Sequence, residues 1–209
     1  MRSGSPASGY FDAGLPDRLA AYLATLRVTQ GPLAGQGLEV LPWQEDFLRG
    51  AFAPGITDAG LSVARGNGKT SLLAGIALAC VEGPLMQPRA ETVIIAASFE
   101  QAGILFDTAL AYGTGRVTGM HYRILNSQNR KLIEHLPSGA RLRVMSSDPK
   151  RAHGIAPALI LADEPAQWPT GTGEQMVAAL RTSRGKIAGS HSTKPVSYTH
   201  LTLPTNREV

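Results

Sequence analysis

The sequence has little of what secreted and membrane proteins depend on. Its 209 residues include one cysteine, Cys80, which excludes an internal disulfide and indicates a reducing compartment. The longest apolar run, around Leu72 to Val81, is far shorter than the roughly 20 residues of a membrane-spanning helix. The first residues, MRSGSPASGYFDAG, lack the apolar segment of a signal peptide. We therefore expect a chain that is neither secreted nor inserted in a membrane.

Aromatic residues are also scarce, at 6%, but hydrophobic residues reach 43% and the mean hydropathy is −0.04. These values are typical of a soluble globular protein, and the length suffices for one large domain with its own core. The apolar neighbours of Cys80 predict a small buried side chain rather than a reactive thiol. The formal charge of +4 and the isoelectric point near 9.5 are compatible with a nucleic-acid partner without establishing one.

The apolar pattern predicts helices that alternate with strands. Amphipathic helices are predicted over 16–28 and 41–55, and residues 69–81 form a helix that is apolar on nearly every side and should be buried. Another helix, FEQAGILFDTALAYG, is predicted after the strand ETVIIAAS. The other strand-like runs are GLSVAR, HYRILN, RKLIEHL, ARLRVMSS and PALILADE. Such alternation predicts an α/β fold with a mainly parallel central sheet that helices cover on both faces.

We divide the chain into three parts. Residues 1–40 form a leader and a helix, residues 41–193 the main domain, and residues 194–209 a tail. The last fifteen residues, PVSYTHLTLPTNREV, have no helical period and resemble the translated adapter or vector sequence that contaminates some assembled reading frames. A natural disordered tail is the alternative. If the tail is not native, the natural chain was cut near Lys194 and the domain is incomplete on its C-terminal side.

The stretch LSVARGNGKTSLLAG resembles a phosphate-binding loop, or P-loop, which requires a small residue, a Gly-Lys pair and a Ser or Thr. Gly68, Lys69 and Thr70 match the second half, whereas Val63 stands in place of the first glycine. A strand, a glycine-rich turn and a helix in this order would form an anion cradle from backbone N–H groups. An ordinary glycine-rich turn is the alternative.

If the loop binds a nucleotide, its residues have distinct roles. Lys69 would contact the β- and γ-phosphates of ATP, and the Thr70 hydroxyl would bind Mg²⁺. The remaining candidate nucleotide-binding residues of the loop are Arg65, Gly66, Asn67, Gly68 and Ser71.

The run ALILADEP places two acids at the end of a buried strand. Ligands of open α/β sheets bind at the carboxyl ends of such strands. Asp163 would hold Mg²⁺ together with Thr70, and Glu164 would polarise the attacking water. An acidic pair that merely ends a strand at the surface is the alternative. Upstream, the amide of Gln44 offers a donor and an acceptor that would read the adenine edge, although such a residue taken alone is more often on the surface of a helix.

Five stretches, in this order, resemble the ATPase half of the large terminase subunit of tailed bacteriophages. They are LPWQEDFLRGAF, VARGNGKTSLLAG, IIAASFEQAGILF, RAHGIAPALILADEPAQW and MVAALRTSRGK. The resemblance extends from Leu41 to Lys186 and implies a P-loop NTPase of the ASCE type, with ATP and Mg²⁺ as cofactors. That family packages DNA into empty capsids. Its nuclease domain, which follows the ATPase domain, has no counterpart in this chain.

The resemblance also explains the unusual loop. P-loops of this family often lack the first small residue and carry a basic residue, so Arg65 would stabilise charge near the γ-phosphate as a catalytic residue. Pairing of Arg65 with a surface carboxylate is the alternative. The implied partners are double-stranded DNA, the portal protein, the small terminase subunit and further copies in a homo-oligomeric ring. The implied location is the cytoplasm of the bacterial host, with no membrane partner.

Other interpretations stay open at this point. A helicase-like or restriction-type DNA translocase would share the loop and the acids, and a fragment that binds nucleotide without turnover would carry the same motifs. The basic clusters RILNSQNRK, ARLRV, DPKRAH and RTSRGK would either contact DNA phosphates or lie on solvated strands. His153 would sense phosphate or DNA, but it lacks the neighbours of a metal ligand.

Overall fold

A seven-stranded sheet organises the described part of the chain in a computed structural model. The structure describes residues 12–53, 56, 58–64, 66–146, 155, 157–165, 168, 175, 180 and 197–199. Its helices are α1 (Leu15–Ala24), α2 (Pro42–Ala51), α3 (Lys69–Glu82) and α4 (Phe99–Tyr112). Its strands are β1 (Asp58–Gly60), β2 (Glu91–Ala96), β3 (Tyr122–Ser127), β4 (Arg130–His135), β5 (Ala140–Ser146), β6 (Leu159–Ala162) and β7 (Ser197–Thr199). Neighbouring strands of the sheet follow the order β1-β7-β6-β2-β5-β4-β3.

Five neighbouring strands of the sheet pair in parallel, in the order β1, β7, β6, β2 and β5. The hairpin of β3 and β4 then continues the sheet in antiparallel pairing. The predicted mainly parallel α/β sheet is therefore confirmed. The run GLSVAR is corrected, because β1 begins earlier and ends at Gly60, where its pairing with β7 stops.

Alternate residues of the central strands face two separate cores, as the period of two along a strand requires. Ile94 and Ala96 join the large core that the four helices cover, whereas Val93 and Ile95 lie on the opposite face. There they form a small core with Met145, Ile160 and Leu180, against which Ile155 and Trp168 pack.

The helix after the glycine-rich loop is buried on all sides, as predicted. Every residue of α3 from Leu72 to Val81 is buried. Cys80 is among them, and its thiol donates to the carbonyl of Ile76 over 3.3 Å. Burial raises the pKa of the Cys80 thiol to about 12, so the predicted inert, buried role fits its surroundings.

The first helix packs on α3, and a glycine permits the close approach. A Cβ placed on Gly75 would lie 2.3 Å from Leu23 Cδ2 and 3.3 Å from Leu26 Cδ1. Both leucines are buried in the large core. Helix α1 ends at Ala24, earlier than the predicted residue 28, because the following segment pairs with 36–38 through bonds such as Leu38 N to Leu26 O.

Of the tail, the structure describes residues 197–199, which form β7 between β1 and β6. The non-native origin of 194–209 stays a prediction. Among the described residues, no helix is long and apolar enough to cross a membrane.

Gly75→Ala tests the contact between α1 and α3. Alanine favours a helix by about 1 kcal/mol, but overpacking of a filled core costs about 1–3 kcal/mol. We expect the substitution to lower the free energy of unfolding, as measured by urea denaturation. Gly50→Ala is the matched control, because a Cβ on this exposed residue of α2 would meet nothing within 4 Å. It should stabilise the protein by about 0.5–1 kcal/mol. Stabilisation by both substitutions would contradict the close packing.

Candidate nucleotide-binding site

The glycine-rich loop adopts the backbone that an anion cradle needs. Gly66 and Gly68 have φ values of 84° and 73°, in the left-handed region that glycine enters without steric cost. Gly68 caps α3, and the first intrahelical bond runs from Leu72 N to Gly68 O over 2.9 Å. The N–H groups of Lys69, Thr70 and Ser71 therefore have no intrahelical partner and lie at the positive end of the helix.

Charge at the start of α3 differs from that of the other described helices. Its N-cap makes no side-chain bond, and its first turn contains no acid. The first turns of α1, α2 and α4 each carry one, namely Asp17, Glu45 and Glu100. Because a carboxylate would compete with a phosphate for these N–H groups, the residues present at α3 fit an anionic ligand.

The acidic end of β6 is positioned by pairing with β2. Ala162 lies opposite Ile95, and the pairing continues by a bond from Asp163 N to Ile95 O over 2.8 Å. The carboxylate oxygen Oδ1 of Asp163 is buried. Asp163 therefore extends the strand by one residue and lies at the carboxyl edge of the sheet, where the sequence placed it.

Glu164 turns away from the strand and meets the P-loop. Its Oε1 lies 4.0 Å from Lys69 Nζ, and the two side chains are 38% and 16% exposed. Its φ of 46° lies in the left-handed region, which is unusual for a residue other than glycine. The two motifs, distant along the chain, are thus brought together at one edge of the sheet.

Gln44 lies beside the loop and is buried, with 7% exposure. Its Oε1 accepts a bond from Leu41 N over 2.9 Å, and its Nε2 lies 3.7 Å from the position that a Cβ on Gly68 would occupy. The expectation of an exposed surface residue is wrong. The amide group instead faces the P-loop, while part of its acceptor capacity is used within α2.

The other predicted site residues occupy different settings. Thr70 and Ser71 are half-buried in the first turn of α3, and Asn67 is exposed in the loop. Arg65 and His153 lie outside the described residues, as do the clusters DPKRAH and RTSRGK.

Most side chains of the two described basic clusters have acidic partners. Lys131 Nζ lies 2.6 Å from Asp107 Oδ1 and 5.5 Å from the Phe106 ring, so it joins the hairpin to α4. The arginines of the strands pair in the same way: Arg123 and Arg141 with Glu134, and Arg143 with Glu91. Only Arg130 of these basic residues lacks an acidic partner in the described part of the chain.

Glu134 is shared by two of these arginines, Arg123 and Arg141. Desolvation raises the pKa of its carboxyl, but hydrogen bonds from Arg141 and Arg123 outweigh that effect and hold the pKa below its usual value. Both arginine side chains nevertheless stay exposed, at 54% and 44%, and one carboxylate offsets only one of their two positive charges.

Trp168 is a site residue that the sequence analysis did not single out. Its indole Nε1 donates to the carbonyl of Asp163 over 3.0 Å. The sequence did place this tryptophan close to the candidate acid Asp163. An indole N–H is a donor that usually finds a partner when it is buried.

Comparisons with known proteins place the chain in a family. The family model described as "Terminase large subunit, ATPase domain" matches residues 47–194. The large terminase subunit of Enterobacteria phage HK97 is 35% identical over 160 residues, which cover 76% of this chain and 31% of that protein. The chain thus spans about a third of the length of this curated relative.

A solved structure gives the same result. The crystal structure of the HK97 bacteriophage large terminase matches with a TM-score of 0.72 and 28% sequence identity. The match covers 90% of this chain and 38% of that one. The P-loop fold predicted from the motifs is confirmed, and the chain belongs to the family of terminase large-subunit ATPase domains.

Proposed function

We propose that this domain binds and hydrolyses ATP and that hydrolysis drives double-stranded DNA into a phage capsid. The observation that carries the proposal is the 4.0 Å approach of Lys69 Nζ to Glu164 Oε1. A phosphate-binding lysine and an acid able to polarise water must lie within one site for hydrolysis. Family membership favours this function over a helicase-like or restriction-type translocase.

Different residues of the loop contact different parts of ATP. The left-handed glycines Gly66 and Gly68, with Asn67 between them, bring backbone N–H groups to the phosphates, and Ser71 adds a further N–H group. Lys69 neutralises phosphate charge. Gln44, whose Nε2 faces Gly68, contacts the adenine from the adjoining helix.

Thr70 and Asp163 form the protein part of a Mg²⁺ site in this proposal. Mg²⁺ usually keeps several waters and binds one or two carboxylates together with substrate phosphates, so a hydroxyl and one carboxylate are a sufficient donor set. When bound, the ion supplies charge that stabilises the transferring phosphoryl group. Glu164 orients and polarises the attacking water, and Arg65 adds a positive charge beside the γ-phosphate.

The family suggests the setting in which this domain works. We propose that it assembles as a ring with further copies of the full-length subunit, docks on the portal protein, and receives DNA with the small terminase subunit. This would take place in the cytoplasm of the bacterial host.

Lys69→Ala and Glu164→Gln should separate binding from chemistry. Lys69→Ala removes the phosphate contact, so we expect ATP affinity to fall by at least tenfold in titrations with a fluorescent ATP analogue.

Glu164→Gln keeps the size of the side chain and should leave affinity within about twofold, while phosphate release falls about 10²–10⁴-fold. Normal turnover by Glu164→Gln would contradict its role. ATP binding by the unaltered chain without phosphate release would instead indicate a nucleotide-binding module.

Thr70 offers a matched pair of substitutions. Thr70→Val keeps the shape of the side chain but removes the hydroxyl, whereas Thr70→Ser keeps the hydroxyl. We expect Thr70→Val to need at least tenfold more Mg²⁺ for half-maximal phosphate release, because the ion loses a ligand. Thr70→Ser should need the same concentration as the unaltered protein. Equal Mg²⁺ requirements in all three proteins would exclude Thr70 as a ligand.

A further inference from the structure

The two peptide groups that flank Asp163 are each held by a hydrogen bond. On one side, Asp163 N donates to Ile95 O over 2.8 Å and keeps the residue in the register of the sheet. On the other, Trp168 Nε1 donates to Asp163 O over 3.0 Å. Trp168 also closes a turn through its own backbone, by a bond from its N–H to Pro165 O over 3.2 Å.

This carbonyl bond bears directly on the conformation of Glu164. The plane of the 163–164 peptide contains both Asp163 O and Glu164 N, so fixing the carbonyl sets one side of the φ rotation of Glu164. The bond from Trp168 N to Pro165 O holds the chain on the other side, and together the two bonds constrain this φ. A φ of 46° is unfavourable for a side chain with a Cβ and persists only where the surroundings enforce it. The same conformation directs the Glu164 carboxylate toward Lys69.

Trp168 is itself anchored, so that its N–H has a defined position. Its half-buried ring packs against the small core of Val93, Ile95, Met145, Ile160 and Leu180. That core lies on the sheet face opposite the one that α3 covers. The turn after β6, which carries Asp163 and Glu164, is thus held between the start of α3 on one side and the indole of Trp168 on the other.

We propose that Trp168 is a positioning residue, whose indole N–H holds the 163–164 peptide so that the Glu164 carboxylate faces the P-loop. The inference rests on the proposed function, because it gives Glu164 its orientation for water activation. Trp168 touches neither ATP nor water in this proposal and acts only through the peptide.

Trp168→Phe keeps an apolar ring and removes the donor. We expect kcat for ATP hydrolysis to fall by about tenfold to 100-fold, since small displacements of a catalytic group have effects of this size. KM should stay within about twofold, because the residues that bind ATP are unchanged. Trp43→Phe is the matched control, since Trp43 is the other of the two tryptophans and packs partly buried against the large core. Trp43→Phe should leave kcat and KM unchanged. An unchanged kcat in Trp168→Phe would overturn the proposal.

Thermal unfolding tests the same inference without ATP. Glycine at position 164 accepts the left-handed φ without strain. Loss of the indole bond should therefore release strain from Glu164 but not from glycine. We compare how much Trp168→Phe lowers Tm in the unaltered protein and in Glu164→Gly. The loss of Tm should be about 2–4 °C smaller in the unaltered protein, because there the substitution also releases strain. Equal Tm losses in the two backgrounds would show that Trp168 does not constrain residue 164, and would overturn the proposal.

The hydrogen bond can also be observed directly. In Trp43→Phe, the remaining indole belongs to Trp168, so its N–H signal in a ¹H–¹⁵N NMR spectrum is unambiguous. Exchange with D₂O should be much slower than for a free indole, and exchange at the free rate would overturn the proposal. If the unaltered protein releases no phosphate, the proposed ATPase function fails, while the Tm comparison and the exchange rate still decide the role of Trp168.

Discussion

Parallel pairing of β6 with β2 is the constraint from which the geometry of the site follows. Because Ala162 lies opposite Ile95, the next residue is the last that the sheet can hold, and Asp163 ends the strand with its N–H bonded to Ile95 O. Glu164 must then leave the sheet. The carboxyl edge at which it leaves is also where the N-terminus of α3 begins, so an acid and a lysine from distant segments meet there.

The two faces of the sheet contribute differently to this edge. The large core fixes α3, and with it the position of Lys69, through helices packed on one face. The small core fixes Trp168, and with it the turn after β6, on the other face. Farther along the sheet, ion pairs engage the arginines of the β3–β4–β5 region. Because Arg123 and Arg141 share Glu134, these pairs reduce the positive charge of that surface without cancelling it.

Local patterns were sufficient to predict the helices, the order of the motifs and the elements that carry them. Lys69 and Glu164 were chosen as candidates because phosphate and water chemistry restrict which residues serve at a P-loop and a strand end, and the structure brings these two side chains together. The burial of Gln44 and the bond from Trp168 were not foreseen. Both depend on how whole elements pack, and a sequence period does not report that packing. The end of α1 was misplaced for a similar reason, since backbone pairing of 26–28 with 36–38 overrides a continuing apolar pattern.

The contact between Gly75 and Leu23 has a consequence for where this domain can be divided. The boundary at residue 40, drawn from the change of sequence pattern, separates α1 from the helix it covers. A fragment that began at residue 41 would lack Leu15, Leu19, Leu23 and Leu26, all buried in the large core. Their removal would open the groove at Gly75 to water and leave apolar surface of α3 uncovered. The smallest autonomous folding unit of this domain must therefore include its first helix.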